Sequence, residues 1–369
     1  MDPAFEYVFP AIKGVQAKRE HYVSMCPLKL IPKIFHYDEE DLVPPELRAQ
    51  RILNKNRVPE ISRYIVENQN DYVFSAITAS IDGKVEFEPI VSGKDADRIG
   101  LLHIPMSARF IINDGQHRRA AIASALKEKP ELVDDSIAVV FFLDIGLKRT
   151  QQMFADLNRH AIRPGRSLGL LYDHRDENAK LTKAVVLKSL TFCNMIEMEK
   201  TSLALRSRKL FTLSAIHGAT KKLLANIDTT TFDGKVQLAT KFWEETFKQF
   251  KEWGLVSKGK MSSGEVRLDF IHSHGITLHA LGNVGNYLLI NQPKEWKKTI
   301  KKLKKISWLR SNSKLWEGRA MVGGQLSMVS HNILLTTNVI KKGLNLPLTQ
   351  EEKRVENAFK RGEYDKKKK

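Results

Sequence analysis

Apolar and polar positions change their spacing near residue 148. Before it, short apolar runs rich in β-branched and aromatic residues alternate with helical patterns. "EYVFPAIKGVQ" and "EHYVSMCPLKLIPKIF" are such runs, interrupted by Gly and Pro, and predict strands with bulges. "RVPEISRYIVENQ" takes helical spacing, with Pro59 suited to a first turn and Ile61, Tyr64 and Ile65 on one face. "YVFSAITASIDGKVEFEPI" predicts two strands joined as a hairpin near Asp82-Gly83. Asp95 is placed to cap a short helix, "ADRIGLLH", ahead of the strand "ARFIIN", the helix "RRAAIASALKE" and the buried strand "SIAVVFFLD".

From about Lys148 the period is helical. "RTQQMFADLNRHA", "SLGLLYDHR", "NAKLTKAVVLKSLTF", "FTLSAIHGATKKLLANI" and "QLATKFWEETFKQFKEWGL" set apolar residues three and four apart. "RLDFIHSHGITLHALGNVGNYLLI" predicts a buried helix in spite of its glycines, and "PKEWKKTIKKLKKISWL" a basic amphipathic one. "TLSAIHGATKKLL" reads as one helix tolerating Gly218 in preference to a helix-turn-helix. The tail "RGEYDKKKK" predicts disorder. The expected division is an α/β domain over 1–147, a mostly α-helical domain over 148–345 assigned to DNA binding, and a basic, partly disordered tail over 346–369.

Composition narrows the partners. Sixty Lys and Arg against 42 Asp and Glu give a formal charge of +18, which favours an acidic partner. No apolar run approaches the roughly 20 residues that cross a bilayer, so nucleic acid ranks ahead of membrane. "MDPAFEYVFPAIKG" is neither a signal nor a transit sequence, and a cytoplasmic location is expected. Cys26 and Cys193 lie far apart, so neither a disulfide framework nor a structural zinc site is expected. The basic runs contain few aromatics for base stacking, which favours duplex DNA over single strands.

The densest candidate chemistry lies in "RFIINDGQHRRAAIASALKE". A strand ending in Asp114-Gly115 runs into a helix that opens with Gln116, His117, Arg118 and Arg119. Helix N-termini attract anions, glycine permits a sharp turn, and arginines offer forked donors to phosphate. His117 adds a donor that titrates near neutrality. Asp114 can cap the helix, hold an arginine, or bind a magnesium ion accompanying phosphates. The plain alternative is a capped helix with paired or solvated arginines; four adjacent polar residues favour the phosphate site.

In "FADLNRHAIRPGR", Asp156, Asn158, Arg159, His160, Arg163 and Arg166 form a second cluster. Asn158 and Arg159 either complete the phosphate pocket, or Asp156 and Arg159 pair on a helix surface. For DNA, "LRSRKL" offers Arg206, Arg208 and Lys209, the arginines suited to guanine edges. "KEWKKTIKKLKKISW" offers Lys297, Lys298, Lys301, Lys302, Lys304 and Lys305 around a face of Trp296, Ile300 and Leu303. Those lysines either contact DNA phosphates or are simply solvated. His272, His274 and His279 read as core contacts and not as a metal set. The chain lacks the phosphate-binding Gly-x-x-x-x-Gly-Lys-Ser/Thr loop. Hydrolysis would therefore have to use Asp114 beside a metal and His117 beside the transferring phosphate.

"INDGQHRRAAI" resembles the signature of the DGQHR domain. With "MDPAFEYVFPAIKGVQ", "VPEISRYIVEN", "MFADLNRHAIRP" and "SRKLFTLSAI", the chain resembles the DndB family of bacterial DNA phosphorothioation gene clusters over most of its length. The DGQHR domain is in turn similar to the ParB/sulfiredoxin superfamily, in which a Gly-x-x-Arg corner holds nucleotide phosphates. Gly115, Gln116, His117 and Arg118 match that element, and the His-Arg after Gly-Gln departs from it. The resemblance implies an α/β (α+β) ParB/sulfiredoxin-like N-terminal domain followed by a mostly α-helical one. It further implies a repressor binding double-stranded promoter DNA of its own gene cluster, switched by a nucleotide or phosphate at the corner. Other phosphorothioation proteins are expected partners. A homodimer would suit palindromic operators, although no heptad repeat marks an interface. The alternative is an ATPase with DNA-nicking activity, using ATP or another nucleotide with Mg2+. A third reading is a scaffold without sequence preference.

Overall fold

Along residues 6–16 burial alternates: Phe9 and Ala11 point inward while Val8, Pro10 and Ile12 point out. That two-residue period makes β1 (Glu6–Gln16) a half-buried strand, which Pro10 and Gly14 do not interrupt. Ala17 and Lys18, with φ of 52° and 63°, close a tight turn into β2 (Arg19–Pro27). The structure, a computed structural model, describes residues 5–35, 55–90, 97–143, 152–153, 155–157, 164–227 and 231–364. By its contacts the chain divides into two units, Met1–Ile162 and Arg163–Lys369.

In the first unit α1 (Ile31–Ile34) and α2 (Val58–Glu67) precede β3 (Ile77–Asp82), β4 (Glu86–Pro89), β5 (Ile99–Pro105) and β6 (Arg109–Asp114). Then come α3 (Gln116–Glu128) and β7 (Ser136–Leu143). The seven strands form one mixed sheet in the order β4-β5-β1-β2-β7-β3-β6, in which β3 and β7 alone run parallel. Ile65 of α2 and Ala121, Ile122 and Ala125 of α3 join Ile77, Phe110 and Phe141 of the sheet in its core.

Two sequence expectations fail here for one reason. Asp82-Gly83 does not close a hairpin: β3 is buried from Ile77 to Ile81 and lies inside the sheet, whereas the polar β4 pairs with β5 at an edge. A strand covered on both faces seeks strand neighbours on both sides, and a Glu- and Pro-bearing one is left at the rim. "ADRIGLLH" is not a helix either; Gly100, Leu102 and Ile104 alternate inward along β5, which pairs with β1. Asp95 lies outside the described residues.

The second unit is helical: α4 (Arg166–Tyr172), α5 (Glu177–Lys188), α6 (Leu190–Cys193), α7 (Leu213–Leu223), α8 (Phe232–Phe247) and α9 (Lys251–Ser257). It continues with α10 (Ser263–Asp269), α11 (Gly275–Asn291), α12 (Trp296–Ile300), α13 (Ser313–Trp316), α14 (Ser330–Gly343) and α15 (Gln350–Lys360). The buried α11 packs against α7 and α14. Trp243, Trp253 and Trp316 fill the surrounding core. α7 is continuous through Gly218. An α/β unit followed by a helical one is thus the architecture.

The basic amphipathic helix is shorter than its pattern. Trp296, Ile300 and Leu303 are buried as their spacing requires, yet α12 stops at Ile300 and a 3-10 turn covers Lys301–Lys305. Trp308 Nε1 donates to the Leu303 carbonyl at 2.9 Å, the acceptor that a continuing α-helix would need for residue 307. Within the segment expected as a basic, partly disordered tail, α15 forms behind a Thr349/Glu352 capping box and buries Val355 and Ala358. Tyr364 stacks on His331 with ring centroids 4.2 Å apart, and residues 365–369 lie outside the description. Among the described residues no helix is long and apolar enough to cross a membrane.

Candidate functional site

At the Asp-Gly-Gln-His-Arg corner, β6 ends on Asp114 and α3 begins at Gln116. Gly115 sits between them with φ of +113°, a conformation that a Cβ penalises. Asp114 takes one of its three expected roles: its Oδ2 accepts from Arg118 Nη2 at 2.6 Å, and no side chain caps α3. Arg118 Nη2 also donates to the Ala76 carbonyl at 3.1 Å, tying the helix to the start of β3. Arg119 donates from Nε to Phe35 O at 2.9 Å and from Nη2 to Pro32 O at 3.2 Å. Burial draws its guanidinium pKa below the usual value.

The two arginines thus hold the corner to segments 32–35 and 76 of the same unit. Two donors are left over. Gln116 is 7% exposed, and its Nε2 and the Nε of Arg118 are buried without an acceptor. Buried donors in this state suit an acceptor such as a phosphate oxygen. His117 is half-buried in the first turn of α3. Asn158 and Arg159, with His160 and Arg163, lie outside the described residues; Asp156 accepts from Gln152 Nε2 at 2.7 Å.

Gly115→Ala should cost about 1–3 kcal/mol in urea unfolding, since the strained φ would be borne by a residue with a side chain. Its Cβ would also lie 3.0 Å from Ile77 Cγ1 and 3.2 Å from Arg118 Nη2. A variant as stable as the parent would show that the corner relaxes freely.

In the second unit, "LRSRKL" is an irregular loop laid on α10. Ser263 Oγ donates to Arg208 O at 2.6 Å, and Arg267 Nη2 donates to Ala204 O at 2.7 Å and Leu205 O at 3.1 Å. Arg267 Nη1 donates to Lys209 O. The loop lies so close to α10 that a Cβ on Gly264 would sit 2.5 Å from Leu205 O. Held this way, the loop exposes Arg206 and Arg208, and neither meets a carboxylate among the described residues. Lys209 Nζ turns back to Asn194 O at 3.0 Å. Arg206 and Arg208 border a cleft of about 710 Å³ with Met261 and Ser263.

The lysines divide. Lys298 and Lys301 are exposed. Lys297 Nζ lies 5.8 Å from the Trp296 ring centroid, and Lys302 Nζ donates to Leu344 O at 3.4 Å. His272 is buried, accepting at Nδ1 from Trp253 Nε1 at 3.0 Å with Nε2 3.2 Å from Glu252 Oε2. Among the described residues no group of three His, Cys, Asp or Glu side chains is arranged to hold a metal. Arg267 was not foreseen. It is a single arginine in "SGEVRLDF", and its small helix-face neighbours Ser263 and Gly264 were the one available sign that a backbone packs there.

A mixed seven-stranded sheet with a glycine-turned polar corner, followed by a helical unit presenting an arginine loop, defines an α/β-plus-helical protein of two units. Residues 9–347 match the DndB family, described as DNA-sulfur modification-associated, and the chain belongs to that family. No match was found among curated proteins or among solved structures.

Proposed function

We propose that the protein is a transcriptional repressor that binds duplex DNA of a phosphorothioate-modification gene cluster. Membership of the DndB family ties it to DNA sulfur modification. The observation that carries the finer reading is the loop 204–209, held by a buried arginine and exposing Arg206 and Arg208. A held loop loses little freedom on binding, and its guanidiniums suit guanine edges or phosphates. Lys298 and Lys301 add phosphate contacts without sequence preference. A phosphate at the Gln116/Arg118 corner is the proposed switch, with Asn158 and Arg159 as its further ligands. Asp114 is already engaged by Arg118, which favours binding over metal-assisted hydrolysis.

The test is a titration of the DNA upstream of its gene cluster against a scrambled duplex across a salt series. Specific binding should exceed non-specific by about a thousandfold. Replacing Arg206 and Arg208 with alanine should erase most of that ratio. Replacing Lys298 and Lys301 should weaken both duplexes alike and lower the salt slope by about one per lysine. Equal binding of both duplexes by the parent protein would rule out the repressor.

A further inference from the structure

The helical unit contains a second cleft, of about 610 Å³, that the proposed DNA contacts leave unused. Arg166, Arg267 and Arg310 line it, and no carboxylate does among the described residues. Arg166 is exposed and makes no ion pair there. The side chain of Arg310 makes one hydrogen bond, to Gly324 O at 3.2 Å. Three arginines line walls that carry no carboxylate among the described residues, Arg267 with its fork already on the 204–209 carbonyls, and their summed positive charge favours an anion.

The rest of the wall agrees. Gly275 and Ile276 open the 17-residue α11, whose N-cap His274 makes no capping bond; its Nε2 donates instead to Arg267 O at 2.7 Å. The positive end of α11 therefore adds to the arginines. His279 also lines the cleft, and its buried Nδ1 has no partner. Burial, then the charges of Lys222 and Arg166, push its pKa down to about 4, so the ring is neutral near pH 7. Leu203, Leu210, Leu326 and Met328 add apolar wall, interrupted by Thr201, Thr212, Ser214 and Ser273. The volume falls in the range of sites for small organic ligands and far exceeds one phosphate.

An anion with a flat, weakly polar body satisfies both halves. We propose that this cleft binds a nucleotide, its phosphate on Arg166 and Arg310 and its base against Leu203, Leu326 and Met328. The nucleotide is either free or one unit of a DNA strand. This site is separate from the Gln116/Arg118 corner and goes beyond the repressor reading.

The test is photocrosslinking of the full chain with two probes, 8-azidoadenosine triphosphate and a 5′-phosphorylated pentathymidylate carrying one 4-thiothymidine. The labelled peptides are then mapped by mass spectrometry. Labels within residues 201–215, 266–279 or 326–328 are expected, falling at least tenfold in Arg166→Met and Arg310→Met. Labelling by the triphosphate identifies the free nucleotide as ligand; labelling by the oligonucleotide alone identifies the strand. Mapping the parent chain needs no variant to fold. No label at all, labels confined to residues 109–128, or full labelling in both folded variants overturns the proposal. Because the operator titration scores duplex preference alone, the repressor reading stands or falls separately.

Discussion

Arg267→Met is expected to lower stability by about 3–5 kcal/mol and to remove specific DNA binding while Arg206 and Arg208 remain in the sequence. Arg267 is 8% exposed. Its fork reaches the carbonyls of Ala204, Leu205 and Lys209, with Ser207 O at 3.5 Å. Methionine keeps much of the stem's packing and removes every donor. The carbonyls would then be stranded or would pull the loop away towards water, and an unpaired buried acceptor costs about 1–3 kcal/mol. Arg267→Lys separates charge from shape. An ammonium keeps the charge but is a single point, unable to span Ala204 and Lys209 as a planar fork does. Its DNA affinity should lie between the other two. Urea unfolding and the operator titration, run on all three proteins, read both effects. Parental DNA affinity in Arg267→Met would disconnect the held loop from recognition.

Where burial is one-sided, the hydrophobic pattern located elements well. β1, α2, α3 and β7 follow their periods closely, since each has one face or stripe turned to a core. It failed where pairing is non-local. β3 and β4 were read as neighbours because Asp-Gly stands between them, and nothing within the segment says that β3 will meet β7 and β6 instead. The corner was readable as a corner: Gly115 takes the positive φ that its position asked for. What its arginines hold was not, because Pro32, Phe35 and Ala76 lie some 40 to 90 residues away in sequence. The cleft of the helical unit was hidden for the same reason. Arg166, Arg267 and Arg310 are spread over 145 residues, and only the packed helices bring them to one wall.

Acid should loosen the last helix before the rest of the helical unit, and Glu356 is the reason. It is 3% exposed, and Arg319 donates to both its oxygens, Nη1 to Oε2 and Nη2 to Oε1, each at 2.9 Å. Asn338 Nδ2 donates to Oε2 at 3.0 Å, and Lys342 Nζ to Oε1. Burial by itself would raise the carboxyl pKa; these donors outweigh it and bring it down from 4.5 to about 2. The folded state therefore binds this proton more weakly than the unfolded chain does. Its stabilising effect is complete above about pH 4.5 and is lost as the pH falls through that value towards 2. Glu356→Gln keeps the shape and discards the charge, leaving Arg319 and Lys342 without a counter-ion, at an expected cost of about 3–5 kcal/mol at pH 7. The gap between parent and variant in urea unfolding should then shrink steadily from pH 5 to pH 2.5. Lys341 and Glu352, paired at 2.7 Å, join the same two helices and persist in both proteins, so they cancel from the difference to first order. A gap that stays constant over that range would mean that the difference lies in hydrogen bonding that the amide cannot reproduce, and that the charge of Glu356 contributes nothing.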